Sequence, residues 1–148
     1  MPDTVPAVPE GFTTITPYLI VNDAAAALTF YSKVFDVTPT HVLRAPDGSI
    51  RHASIRIGNA MVMVGQHPRT DPHVEGQLPQ LSLYAYVADA DGTWQRAIDN
   101  GGSSIYPVRL KPYGNREGGV RDPFGITWWI ATQVELVADD EVSRRMNQ

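Results

Sequence analysis

The amino-acid sequence predicts an α+β protein made of two βαβββ modules in tandem. Three observations predict it. Residues of like character recur 66 positions apart, Tyr18 with Tyr84, Val21 with Val87, Asp23 with Asp89 and Leu28 with Trp94. In each half a β-branched and aromatic run leads into a helix-like stretch, followed by three short strand-like runs joined by turn residues. The last of these runs leaves a tight turn, Asp122-Pro123-Phe124-Gly125, and is rich in aromatic and β-branched residues from Ile126 to Thr132.

Within the first module, residues 14–21 form the opening strand, with Ile15, Leu19 and Val21 on one face and Thr16, Tyr18 and Ile20 on the other. Pro17 inside this run argues for an edge position or a bulge, because proline cannot donate to a sheet ladder. Asn22-Asp23 offers an N-cap for a helix over 24–35, whose stripe of Ala24, Ala27, Leu28, Tyr31 and Phe35 follows three- and four-residue spacing. Strands over 40–44, 50–57 and 60–64 follow, joined by Pro46-Asp47-Gly48 and Gly58-Asn59 turns that suit antiparallel pairing.

The proline-rich polar stretch 66–80 reads as a connector. Beyond it come a strand over 81–87, a helix capped by Asp89 or Asp91 and stopped by Gly101-Gly102, and strands over 104–110, 118–121 and 126–132. The expected organisation is an extended arm over 1–13, one domain over 14–132 with modules 14–65 and 81–132, and a charged tail over 133–148. In the tail Asp139, Asp140 and Glu141 precede Arg144 and Arg145, the order a short helix favours. Each module has one helix to cover one sheet face, so its other face must be closed by something else.

Bulk composition narrows the function. Hydrophobic residues make up 43% and charged residues 19% of 148, as in globular proteins. The net charge of −4 lacks the basic footprint of a nucleic-acid partner and gives a weak preference for cationic ligands. With no cysteine, disulfides, thiolate metal sites and a cysteine nucleophile are excluded. No apolar run reaches membrane-spanning length and no secretory pattern opens the chain, so a cytoplasmic location is expected, away from membranes.

The sequence Val21-Asn-Asp-Ala-Ala-Ala-Ala-Leu-Thr-Phe-Tyr-Ser-Lys-Val-Phe35, together with Arg121-Asp-Pro-Phe-Gly-Ile-Thr-Trp-Trp129, resembles the vicinal oxygen chelate superfamily. That group includes glyoxalase I, bleomycin-resistance proteins, fosfomycin-resistance enzymes and extradiol dioxygenases. Thr16-Pro-Tyr-Leu19 and Asp122-Pro-Phe-Gly-x-x-Trp128 are closest in flavour to its PhnB-like branch. The resemblance implies a curled mixed-sheet cup, the glyoxalase/bleomycin resistance/dihydroxybiphenyl dioxygenase-like fold, and a homodimer.

Metal-dependent members carry a His or Gln in the first strand of a module and a Glu in its last. The matching positions here are Thr16, Ser82 and Trp129. The resemblance therefore implies that the inherited metal site is lost and that no cofactor is required, with a divalent metal as the disfavoured alternative.

Alternation turns Thr16, Tyr18, Ser82, Tyr84, Tyr86 and Trp129 away from the helices, a lining suited to a planar or aromatic small molecule. The competing reading is that these aromatics fill a core or a dimer seam. Arg116, in the loop-like 111–117 stretch, is a candidate for a ligand carboxylate, against a surface pairing with Glu117 or Asp122. His52, Tyr113 and Glu117 are candidate catalytic residues, His52 as general base or ligand hydrogen-bonder and Glu117 as base or metal ligand. His41 has weaker claims, and His67 and His73 fall in the connector.

Two function classes stay open: a small-molecule binder that sequesters an aromatic or antibiotic ligand, as bleomycin-resistance proteins do, and a lyase, isomerase or dioxygenase with a non-standard metal or metal-free site.

Overall fold

The computed structural model describes residues 9–13, 16–66 and 81–146. The chain divides into two compact units, Met1–Gln77 and Leu78–Gln148. In the first, Asp23 caps α1 (Ala24–Phe35) by accepting from the Ala26 amide, as the sequence predicts, and Asp36 ends it in the left-handed region. Strands β1 (Tyr18–Val21), β2 (Thr40–Arg44), β3 (Ile50–Ile57) and β4 (Ala60–Gln66) form a sheet in the order β1-β4-β3-β2. β1 runs parallel to β4, whereas β2, β3 and β4 pair antiparallel. Pro17 immediately precedes β1 on the sheet edge, where its carbonyl accepts from the Met63 amide at 2.9 Å. α1 buries Ala27, Leu28, Tyr31 and Val34, and the sheet buries Leu19, Val21, Ala53, Ile55 and Val64.

The second unit repeats this plan with β5 (Ser82–Tyr86), α2 (Ala90–Asp99), β6 (Ser103–Leu110), β7 (Asn115–Arg121) and β8 (Thr127–Gln133), ordered β5-β8-β7-β6. Both sheets are mixed and unclosed, and the expected α+β class with paired βαβββ modules is what the structure shows. Asp89 caps α2 through the Gly92 amide, and a short α3 (Asp139–Met146) carries the expected acids first and bases last. Arg145 on α3 binds Glu135 and Glu141 and donates to the Pro112 carbonyl. Among the described residues no helix is long and apolar enough to cross a membrane.

One boundary differs in a way that matters. β7 begins at Asn115, three residues before the strand expected at Gly118. Asn-Arg-Glu has weak strand propensity, but the register with β8 extends through Asn115 opposite Gln133. The hairpin into β7 turns at Gly114, whose φ of +94° and 2.3 Å approach of the Glu135 carbonyl to a would-be Cβ exclude any side chain.

The Asp-Pro-Phe-Gly turn is held by Asp122, which is buried. Its Oδ1 accepts from the amides of Phe124 and Ile126, each at 2.9 Å, and its Oδ2 from the Trp128 indole at 2.9 Å. Trp128 is thereby fixed in the core with Ile130 and Val120. Its neighbour Trp129 points to the opposite face.

Candidate functional site

Strand register lays the residues of the second sheet out in rows. Tyr84 lies beside Trp129, Trp129 beside Gly119, and Gly119 beside Tyr106. The next row is Tyr86, Ala131, Glu117 and Arg109. These rows occupy the face turned away from α2. Gly119 has a specific use there: a Cβ on it would lie 2.8 Å from the Trp129 ring, and without one Trp129 stacks on Tyr106 with centroids 5.9 Å apart and planes at 22°. On the opposite face Gly118 makes the same allowance for Trp94 of α2, whose indole donates to the Gly119 carbonyl at 3.2 Å.

Glu117 sits at the centre of the arrangement and is 3% exposed. Its Oε1 accepts from the hydroxyls of Tyr84 and, at 2.7 Å, Tyr113, and its Oε2 accepts from Tyr106. Asn115, also buried, donates to the Tyr84 hydroxyl at 3.0 Å, so Tyr84 accepts one bond and donates another. Burial by itself would raise the Glu117 pKa. Donation from Tyr106, Tyr84 and Tyr113, aided by the charge of Lys111, outweighs it and holds the carboxyl below its ordinary range.

The phenols respond in the opposite sense. Burial and then the adjacent carboxylate push Tyr84 up to about 12, and Tyr106 and Tyr113 lie well above the usual phenol range for the same reasons. An ionised carboxylate with a lowered pKa is a poor general base, and phenols held this high are poor proton donors. What the cluster does well is fix three aromatic rings in place.

Beside the Trp129 end of the face lies a cavity of about 400 Å³, lined by Ser82, Ile105, Arg121, Thr127 and Trp129 among others. Tyr84 and Tyr86 have ring centroids 5.0 Å apart and are substantially exposed. Ser82, Tyr84, Tyr86, Glu117, Tyr113 and Trp129 are thus brought onto one face.

Arg116 is not brought there. It lies on β7 next to Glu117, and alternation sends it to the α2 side, where its guanidinium grips Asp91 through bonds of 2.9 and 2.8 Å. That partner is neither of the two weighed from sequence. The sequence singles out neither Tyr106 nor Arg109, and it gives Lys111 and Asn115, within the 111–117 stretch, no role of their own. The 66-residue repeat places Tyr106 opposite a threonine, Thr40, so nothing in the first module flags it.

In the first unit, Ile20, Gly65, His52 and Leu43 share a row that matches Tyr86, Ala131, Glu117 and Arg109. His52 therefore occupies the place that Glu117 holds in the second unit. The correspondence extends to a bond, since Tyr18, the counterpart of Tyr84, shares a 3.2 Å hydrogen bond with His52 Nδ1. Thr16 donates to the Thr13 carbonyl at 3.2 Å. His41 has a φ of +52° and its ring lies near Phe12. His67 and His73 lie outside the described residues, as does most of the connector.

The family model of the Glyoxalase/Bleomycin resistance protein/Dioxygenase superfamily matches residues 11–130. The chain belongs to that superfamily. An uncharacterized protein of Mycobacterium bovis is 32% identical over 140 residues, covering 90% of this chain and 91% of its own. Among solved structures, TioX from Micromonospora sp. ML1 is 28% identical with a TM-score of 0.66, over 82% of this chain and 99% of that one. A PhnB protein from Bacillus cereus shares the fold at a TM-score of 0.60 and 19% identity, over 81% of this chain and 99% of its own. The superfamily resemblance seen in the sequence is thereby established.

Proposed function

We propose that this superfamily member is a small-molecule-binding protein whose second module presents an aromatic platform to a planar ligand, sequestering it without a metal. The observation that carries this reading is the Trp129–Tyr106 stack beside Tyr84 and Tyr86, held by three phenols bonded to Glu117 and flanked by a cavity of about 400 Å³. Exposed aromatic rings are costly to leave in water unless they meet a partner, and a rigid set loses little entropy when it does.

The metal-free part rests on the donor set. Trp129 and Ser82 cannot supply the carboxylate and imidazole that a divalent ion favours. Glu117 Oε1 already holds two phenol donors, and among the described residues no three His, Asp or Glu side chains converge. The described residues do not fit such an ion. The enzymatic alternative would need a base, and Glu117 is held ionised by its neighbours rather than poised to take a proton.

Titration with naphthamide, a neutral planar probe, while following tryptophan fluorescence tests the proposal. The expected result is saturable quenching that Trp129→Leu removes and that prior chelator treatment leaves intact. Absence of quenching in the wild-type protein, or quenching that appears only with added divalent metal, overturns it.

A further inference from the structure

The face carries a charge pattern opposite to that of the chain as a whole. Arg109 and Lys111 both lie over the Tyr106 ring, the guanidinium carbon 4.6 Å and the ammonium nitrogen 4.8 Å from its centroid. Register shifts in β6 on either side of Tyr106 bring them there. Tyr106 and Arg109 are three apart and would face opposite ways in a regular strand; the irregularity puts both on the Glu117 side.

The carboxylate nearest in register, Glu117, is already engaged by three phenols. Among the described residues neither cation pairs with an acid within salt-bridge distance; the ion pairs there belong to Arg116, Arg144 and Arg145. Two cations therefore outnumber one enclosed anion at a site on a chain of net charge −4.

Resting on the ligand-binding reading above, we propose that the preferred ligands of this face are planar aromatic carboxylates, the ring stacking against Trp129 and the carboxylate held by Arg109 and Lys111. A guanidinium stacked on a phenol ring leaves its N–H edge free to meet a carboxylate fork-on, and the Lys111 ammonium adds a second donor. A cationic aromatic would meet like charge in the same place. The acidity of the chain predicts the reverse preference, so the two effects make opposite predictions.

Three probes of one ring size separate them: naphthoate, naphthamide and naphthylmethylammonium, titrated against the full chain by tryptophan fluorescence. Naphthoate is expected to bind about fivefold or more tightly than naphthamide, with naphthylmethylammonium weakest. The preference should shrink as salt rises from about 0.05 to about 0.5 M. In the double variant Arg109→Gln/Lys111→Gln the affinities for naphthoate and naphthamide should converge, while Lys111→Arg should keep them apart. Arg109 is exposed and Lys111 half-buried, and a circular dichroism spectrum confirms that the variants fold.

Naphthamide or naphthylmethylammonium binding as tightly as naphthoate overturns the charge preference and leaves the aromatic site standing. Binding of none of the three overturns both.

Discussion

Burying a carboxylate at Glu117 costs several kcal/mol unless every lone pair that leaves water finds a donor. Three phenols meet that need, and the outcome is a linked set of shifts with a definite pH signature. Because the Glu117 pKa in the folded protein lies below its ordinary 4.5, the unfolded chain takes up the proton first as pH falls. Its contribution to stability is therefore complete above about 4.5 and is lost as pH drops through the folded value.

At the alkaline end the sign reverses. The Tyr84 phenol ionises near 10 when unfolded but at about 12 in the fold, so stability declines as pH rises between those values. Urea-unfolding midpoints measured across pH should show both limbs. Glu117→Gln should flatten the acid limb, and an acid limb unchanged in that variant would contradict the assignment. Of this cluster the sequence made Glu117, Tyr84 and Tyr113 legible as candidates. Their convergence was not legible, because it depends on cross-strand diagonals and on a hairpin geometry that periodicity does not encode.

Elements, rather than single residues, decide which side chains reach the face. Extending β7 back to Asn115 places Glu117 on the face turned away from α2 and Arg116 on the helix side. A strand that begins at Gly118, as the sequence predicts, supplies no alternation rule for either residue. The Gly118-Gly119 pair looks like a weak strand in isolation, yet each glycine admits one tryptophan, Trp94 on one face and Trp129 on the other.

The turn before β8 was legible in more detail. The sequence places Asp122 in the turn, and it does bond the backbone two residues on, but its grip on the Trp128 indole is a tertiary contact that turn chemistry does not encode. Asp122→Ala should remove the acceptor of a buried amide at Ile126, of a part-buried one at Phe124 and of the Trp128 indole, and destabilise the protein by about 2–4 kcal/mol. Chemical denaturation measures the loss, and the near-ultraviolet dichroism of the tryptophans should weaken with it. A cost below about 0.5 kcal/mol would show that the turn forms without this carboxylate.

At the scale of the whole molecule the repeat was the most informative feature of the sequence. Helices and meanders appeared where hydrophobic spacing and turn residues placed them, because those signals are local and period-bound. What the repeat concealed is divergence: the same row position holds His52 in one unit and Glu117 in the other, each bonded to the tyrosine of its own first strand. Among the described residues, the second unit alone adds the Trp129–Tyr106 stack and the two cations over Tyr106. The first unit offers a different opening of about 550 Å³ between α1 and β2, lined by Leu28, Lys33, Pro39, Val42 and Arg44.

The most direct measurement of the central claim is a map of amide chemical-shift changes on titrating naphthoate into isotopically labelled protein. The account predicts that the largest changes fall on β5, β7 and β8 around Ser82, Tyr84, Glu117 and Trp129, and on Arg109 and Lys111. Changes centred on α1 and β2 of the first unit, or no saturable change anywhere, would contradict it.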